Sequence, residues 1–387
     1  MTRGGVRCKS GGEPALGPTG VWREALEPYL AKVFHGRVEV LGVRRLKGAE
    51  PAADDPKGFG YGVPLEVECR IDGLPRSFVI SRTRPAQGFG HDYPADRAWQ
   101  ALYGHEAYNS FPGHVRSIDV GFVDGDGGIV SAAGAVEFFQ LVDKAEGDLY
   151  WLDLARMLTA EPRDLDRERV RALARFLASA HATRRDEPTF YERRIRELVG
   201  HGECVMGVLD SYPSGYALLP EERRAAFEQA MVSWRWRLRS RAHRLRRVHG
   251  DFHPWNILFR EGTDFSVLDR SRGEWGEPAD DVAALGMNYL FFGVRRSARA
   301  GRTDVDERFA ELFRTFVDTY LHESRDDELL DVLPPFLAFR ALVLAHPRWY
   351  PDLTDATRAA LLGFADHMAV GGRHEPSDLV AAVGAAR

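Results

Sequence analysis

The spacing of apolar residues changes once along this chain, near residue 145, and that change limits what it can fold into. Before it, apolar residues alternate over short stretches. Val38-Glu39-Val40-Leu41-Gly42-Val43, Leu65-Glu66-Val67-Glu68-Cys69-Arg70-Ile71 and Phe78-Val79-Ile80 read as strands, the last two joined by the hairpin signal Asp72-Gly73. Two helices interrupt them, one over 22–34 and one over 94–109 with Pro94 near its first turn. Two further strands are expected near 117–122 and 135–142, with Asp124-Gly125-Asp126-Gly127-Gly128 as a turn. Beyond the change the spacing is helical over 167–182, over 221–247 and from Pro278 almost to the end, broken only by a short β-like region at 256–269. The expected class is α+β: a small antiparallel-sheet lobe over 21–140 and a larger, mainly helical lobe over 141–387. Residues 1–20, rich in Gly and Pro, are expected to form a disordered tail.

Composition narrows the function classes. Hydrophobic residues at 44% and charged residues at 28% suit a globular chain, not a disordered one. Lys+Arg 52 against Asp+Glu 57 leaves a net charge of −5, which speaks against a nucleic-acid partner. There is no apolar run of about 18 residues, so no membrane partner is expected. The N-terminus has no signal-peptide core, and Cys8, Cys69 and Cys204 are widely scattered, which suits a reducing, cytoplasmic setting. Lysine is scarce, so arginine carries nearly all the positive charge.

The chemistry concentrates in His249-Gly250-Asp251-Phe252-His253-Pro254-Trp255-Asn256. Phosphoryl transfer asks little of a protein: a carboxylate to orient and deprotonate the nucleophile, and oxygen ligands for Mg²⁺. Asp251 and Asn256, across a tight loop, can supply one of each. The run Phe265-Ser266-Val267-Leu268 then reads as a strand that brings Asp269 back beside Asn256. An amide oxygen plus a carboxylate is hard-ligand chemistry suited to Mg²⁺ on nucleotide phosphates.

This segment resembles the catalytic loop of the aminoglycoside phosphotransferase and choline kinase family, a branch of the protein-kinase-like fold. The family pattern, roughly H-G-D-x-H-x-x-N, then hydrophobic-Asp, then G-D-P-A-x-D-hydrophobic-A, is met by residues 249–256, by Leu268-Asp269 and by Gly276-Glu277-Pro278-Ala279-Asp280-Asp281-Val282-Ala283. The resemblance implies a two-lobed kinase-like fold that moves the γ-phosphoryl group of ATP, or of GTP, to a hydroxyl of a small-molecule acceptor. It implies Asp251 as catalytic base, Asn256 and Asp269 as Mg²⁺ ligands, His249 as a loop-holding residue and Asp281 as a structural aspartate. The oligomeric state is open.

The phosphate clamp departs from the kinase pattern. Gly58-Phe59-Gly60-Tyr61-Gly62 lies between two strands, where a glycine flap should be, but its third glycine comes one residue early; the same residues also suit a plain hairpin turn. The strand lysine of kinase-like folds is missing, and Ser81 or Arg82 stands there, depending on register. Arg82 can hold phosphate oxygens, with a different reach from Lys. Asp96 is preferred to Glu106 as the carboxylate of the following helix. Gln140-Leu141-Val142 falls where the hinge should run, so the backbone of Gln140 and Val142 would meet the purine. The missing lysine also fits a pseudokinase-like nucleotide-binding module without turnover. A protein kinase fits less well, because Asp269-Arg270-Ser271 replaces D-F-G.

Overall fold

The computed structural model describes residues 20–46, 62, 64–85 and 89–384, with side chains from Glu24 onward. The expected tail over residues 1–19, and the candidate glycines Gly58 and Gly60, lie outside the described residues. The chain divides into two compact units, one ending at Leu141 and the other beginning at Val142.

The first unit is built on helix α1 (Gly20–Phe34) and the strands β1 (Val38–Arg45), β2 (Leu65–Ile71) and β3 (Leu74–Ile80). These strands form an antiparallel sheet in the order β1-β2-β3. The period-two pattern of β2 turns Leu65, Val67 and Cys69 inward, where they meet Val40 of β1 and Leu26 and Leu30 of α1. Asp72 and Gly73 join β2 to β3 with φ of 47° and 83°, the double left-handed turn that an Asp-Gly pair favours. Helix α2 (Pro94–Ser110) follows and buries no side chain. Strands β4 (Gly121–Val123) and β5 (Ile129–Ser131) form a hairpin, its turn closed by Asp124, which accepts from the backbone N–H of Asp126 (3.0 Å) and of Gly128 (2.7 Å).

One sequence expectation needs correction here. Residues 135–142 do not form a strand: Val136 is 98% exposed and Leu141 94%. The adjacent pairs Phe138-Phe139 and Leu141-Val142 break the alternation that a half-buried strand needs. Glu106, weighed against Asp96 as the carboxylate of this helix, is exposed, as is Trp99, which stacks on Tyr103 at 5.4 Å.

The second unit is mainly helical. Strand β6 (Asp148–Leu149) leads into α3 (Trp151–Met157), α4 (Asp164–His181), α5 (Pro188–Gly200), α6 (Val205–Ser211) and α7 (Glu221–Arg239). Helix α7 stops eight residues short of the expected end, because the chain then forms a 3-10 turn over Ala242–Arg244 and strand β7 (Arg246–Arg247). Strands β8 (Ile257–Phe259) and β9 (Phe265–Val267) form a hairpin that β6 extends, and β10 (Trp275–Gly276) pairs with β7. Helices α8 (Pro278–Ala298), α9 (Glu307–Ser324), α10 (Leu329–Val332), α11 (Pro334–Leu344), α12 (Asp355–Val370) and α13 (Pro376–Ala382) complete the chain.

Helix α8 is the core of this unit. Every residue from Asp281 to Val294 is buried, and the helix touches α3, α4, α9, α10, α11 and α12. A helix apolar on all faces needs such a surround. Gly293 permits the closest approach: a Cβ there would stand 2.4 Å from Val305 Cγ1 and 3.1 Å from Phe309 Cβ. Among the described residues no helix is long and apolar enough to cross a membrane. Gly293→Ala is expected to lower unfolding stability by about 1–3 kcal/mol through overpacking, measured by urea denaturation; an unchanged midpoint would show that α9 yields freely.

Candidate active site

The loop from Val248 to Asn256 runs between β7 and β8. The pairing of β7 with β10 sets its start, and the Val248 N–H continues the ladder to the Glu274 carbonyl at 3.0 Å. Arg270 then donates to the Val248 carbonyl from Nε (2.9 Å) and from a terminal nitrogen (2.7 Å). Gly250 has φ of 89°, a left-handed conformation that disfavours other residues, and a Cβ there would lie 3.2 Å from Arg272 Cβ.

Asp281, in the first turn of α8, holds the loop from beneath. One of its oxygens accepts from the His249 N–H and the other from the Gly250 N–H, both at 2.7 Å. His181, at the end of α4, meets the same carboxylate at 3.0 Å and Tyr320 of α9 at 2.8 Å through its other nitrogen. Asp281 is fully buried. Burial opposes its charge, yet the hydrogen bond and charge of His181 and the His249 N–H outweigh it and hold the carboxyl below its usual range. His249 is buried too, and its Nδ1 accepts from the Asp251 N–H at 3.3 Å. Burial moves the His249 imidazole below its usual 6.5, against the charges of Asp281 and Asp251.

Asp251 emerges from this clamp at a half-buried position. Its Oδ1 accepts from Arg340 at 2.6 Å, and its Oδ2 faces His253 Nε2 at 3.5 Å. Burial pushes its carboxyl upward, but Arg340 first, then His253 and Arg272, overcome that and hold it well below the usual carboxylate range. Asn256 donates from Nδ2 to the Asp251 carbonyl at 3.0 Å, which turns its amide oxygen the other way. The β8–β9 hairpin pairs Ile257 with Val267, and the Leu268 N–H reaches the Asn256 carbonyl at 2.8 Å. Asp269 follows directly, with φ of 51°, and is exposed. Asp251, Asn256 and Asp269 are thus brought to one hairpin end. Oxygen donors from Asn256 and Asp269 side by side suit Mg²⁺. Among the described residues no cluster of three or more His, Cys, Asp or Glu is arranged around a metal position.

The remaining candidates belong to the first unit or the segment after it. Arg82 is exposed, and Gly62 bridges to its neighbour Thr83. The Asp96 carboxylate accepts from the Tyr93 N–H at 2.8 Å, which closes the first turn of α2. Gln140 and Val142 are exposed on the irregular segment.

Residues 124–348 match the phosphotransferase enzyme family. The chain belongs to that family. No curated protein matches the sequence. Among solved structures, the phosphotransferase is similar to a glucosamine kinase in complex with glucosamine, ADP and inorganic phosphate, with 20% identity over 58% of this chain and 59% of that chain and a TM-score of 0.38. It therefore spans about three fifths of the length of that kinase. A macrolide 2'-phosphotransferase type I matches with 15% identity, 92% and 99% of the two chains and a TM-score of 0.29. A choline kinase from Cryptosporidium parvum Iowa II matches with 12% identity, 90% and 92% of the chains and a TM-score of 0.32.

Sequence reasoning missed Arg340. It comes from α11, 89 residues beyond Asp251, and is 7% exposed. Besides Asp251 it donates to Asp280 at 2.6 Å and to the Gly250 carbonyl at 3.3 Å. The available signal was its setting, a single charge inside Pro-Pro-Phe-Leu-Ala-Phe-Arg-Ala-Leu-Val-Leu; a charge in a buried helix needs a partner.

Asp281→Ala would strand the His181 ring and two loop N–H groups in the interior. The expected cost is roughly 3–5 kcal/mol, as for other broken buried pairs, read from urea denaturation. A variant as stable as the parent would show that the carboxylate is not the anchor.

Proposed function

We propose that this phosphotransferase moves the γ-phosphoryl group of ATP to a hydroxyl of a small molecule, with Asp251 as base and Mg²⁺ held by Asn256 and Asp269. One observation carries the reading. The Asn256 amide is fixed to the Asp251 carbonyl while the hairpin delivers Asp269 to its side, on a loop clamped by Asp281. Hard-ion ligands and a nucleophile-orienting carboxylate thereby share one small scaffold.

The acceptor hydroxyl donates to Asp251 Oδ2, the oxygen not bonded to Arg340. Its oxygen bonds to the γ-phosphorus, the bond from that phosphorus to the β,γ-bridging oxygen breaks, and ADP leaves. The hydroxyl proton passes to Asp251. A carboxylate held below its usual range is a weak base, so its main task is orientation, and the proton moves late. A loose transition state asks for little more. Mg²⁺, when bound, neutralises charge on the phosphate oxygens. In the first unit, Arg82 stands in for the absent strand lysine as a phosphate contact, supported by its exposure beside the Gly62–Thr83 bridge. The backbone at Gln140 and Val142 is assigned to the purine.

ADP release from Mg·ATP, and GDP release from Mg·GTP, across a panel of amino alcohols, sugars and aminoglycosides tests the reaction. Asp251→Asn should lower acceptor-dependent release about 10²–10⁴-fold with nucleotide binding retained; an unchanged kcat would sink the assignment. Asn256→Ala and Asp269→Asn should each raise the Mg²⁺ concentration for half-maximal rate roughly tenfold or more, whereas an unaltered Mg²⁺ titration would place the metal elsewhere.

A further inference from the structure

The charges around Asp251 are unevenly answered, and that bears on which acceptor the site takes. This inference rests on the reading above and specifies its acceptor. Glu274, Glu277 and Asp280 form an acidic run suited, as sequence, to a cationic acceptor. In the fold two of these acids are already neutralised. Asp280 is taken by Arg340 at 2.6 Å. Glu277 is buried against Arg244 at 2.8 Å and also accepts from the Tyr191 hydroxyl at 2.8 Å. Glu274 is exposed and accepts from Trp275 Nε1 at 2.7 Å. Glu197, on neighbouring α5, is paired with Arg193 and Arg194.

The cations are not answered in the same way. Arg272 and Arg295 form no ion pair with any described residue, and both keep partial access to solvent. Arg272 lies close enough for its charge to act on Asp251. Arg295 projects from α8 over Phe291, at 5.6 Å from the ring. Phe291 packs on Tyr350 at 4.9 Å, and Tyr350 on Trp255 of the catalytic loop at 6.2 Å. Tyr350 is within electrostatic reach of Arg295, Asp251 and Arg340 together. Two half-exposed rings, Trp255 and Tyr350, thus join the loop that carries Asp251 to Phe291, over which the Arg295 guanidinium lies. An ammonium group beside Arg295 would meet like charge. An anion would meet a fork that binds carboxylates well.

We propose that the acceptor is a hydroxyl compound carrying an anionic group, a carboxylate in the simplest case, seated on Trp255 and Tyr350 with Arg295 as its counter-charge. The test is calorimetric titration of the full chain, with Mg·ADP present, using two charge series: glucuronate, glucose and glucosamine; and glycerate, glycerol and 2-amino-1,3-propanediol. In at least one series the anion should bind tightest, by roughly tenfold or more, the scale of one charge-assisted hydrogen bond. Arg295→Gln, checked for an unchanged melting temperature, should reduce that affinity to the level of the neutral member. Equal or tighter binding of the amine, absence of anion selection in both series, or an unchanged preference in Arg295→Gln would each overturn the proposal. ADP release from Mg·ATP with the same compounds separates the two claims. Selective anion binding with no ADP release from any compound would leave this inference standing and count against the transfer reaction; release favouring an amine would do the reverse.

Discussion

The buried Asp281 carboxylate is the contact on which the site depends. A carboxylate with no solvent access is costly unless it is hydrogen-bonded, and here two backbone N–H groups and a histidine meet it. The acceptor of those bonds belongs to the first turn of α8, a helix buried without interruption from Asp281 to Val294. The loop is therefore tied to a helix packed on six others of its unit. The left-handed turn at Gly250 lets consecutive N–H groups at 249 and 250 point at one carboxylate. Glu277, one turn earlier, caps the same helix through the Ala279 N–H and pairs with Arg244, so the helix start is fixed from two sides.

Arg340 links this clamp to the chemistry. It bridges Asp251 and Asp280 from a helix whose other residues are almost all apolar and buried. The pairing fixes one oxygen of Asp251 and keeps the group ionised, while the other oxygen faces the half-buried His253. A preorganised carboxylate of low basicity suits a reaction in which charge is stabilised and the nucleophile aligned more than it is deprotonated. The same pairing also occupies Asp280, and Arg244 occupies Glu277, so of the three acids in that run only Glu274 keeps a carboxylate without an arginine among the described residues.

Much was legible in advance. The catalytic loop, the β8–β9 return and the start of α8 are contiguous in sequence, and their backbone bonds are local, so residue order and spacing carry their geometry. The Asp72-Gly73 turn and the alternation of β2 were legible for the same reason. The segment 135–142 was not: two adjacent apolar pairs resemble a buried strand, and only the absence of a partner strand shows otherwise. The end of α7 was misjudged because Trp234 to Arg247 keeps helical spacing after the backbone has turned toward β7. Glu106 could be weighed against Asp96 because spacing alone does not show that α2 buries no side chain.

By itself the sequence determined the fold class and the family, because hydrophobic period and short motifs depend only on neighbours along the chain. Tertiary structure decided which charges remain available. Arg340 meets Asp251 across 89 residues, His181 meets Asp281 across 100, and Arg295 lies over Phe291, whose ring packs on Tyr350. Such pairings arise when helices pack, since burial forces each charge to find a counter-charge among residues that no linear spacing identifies.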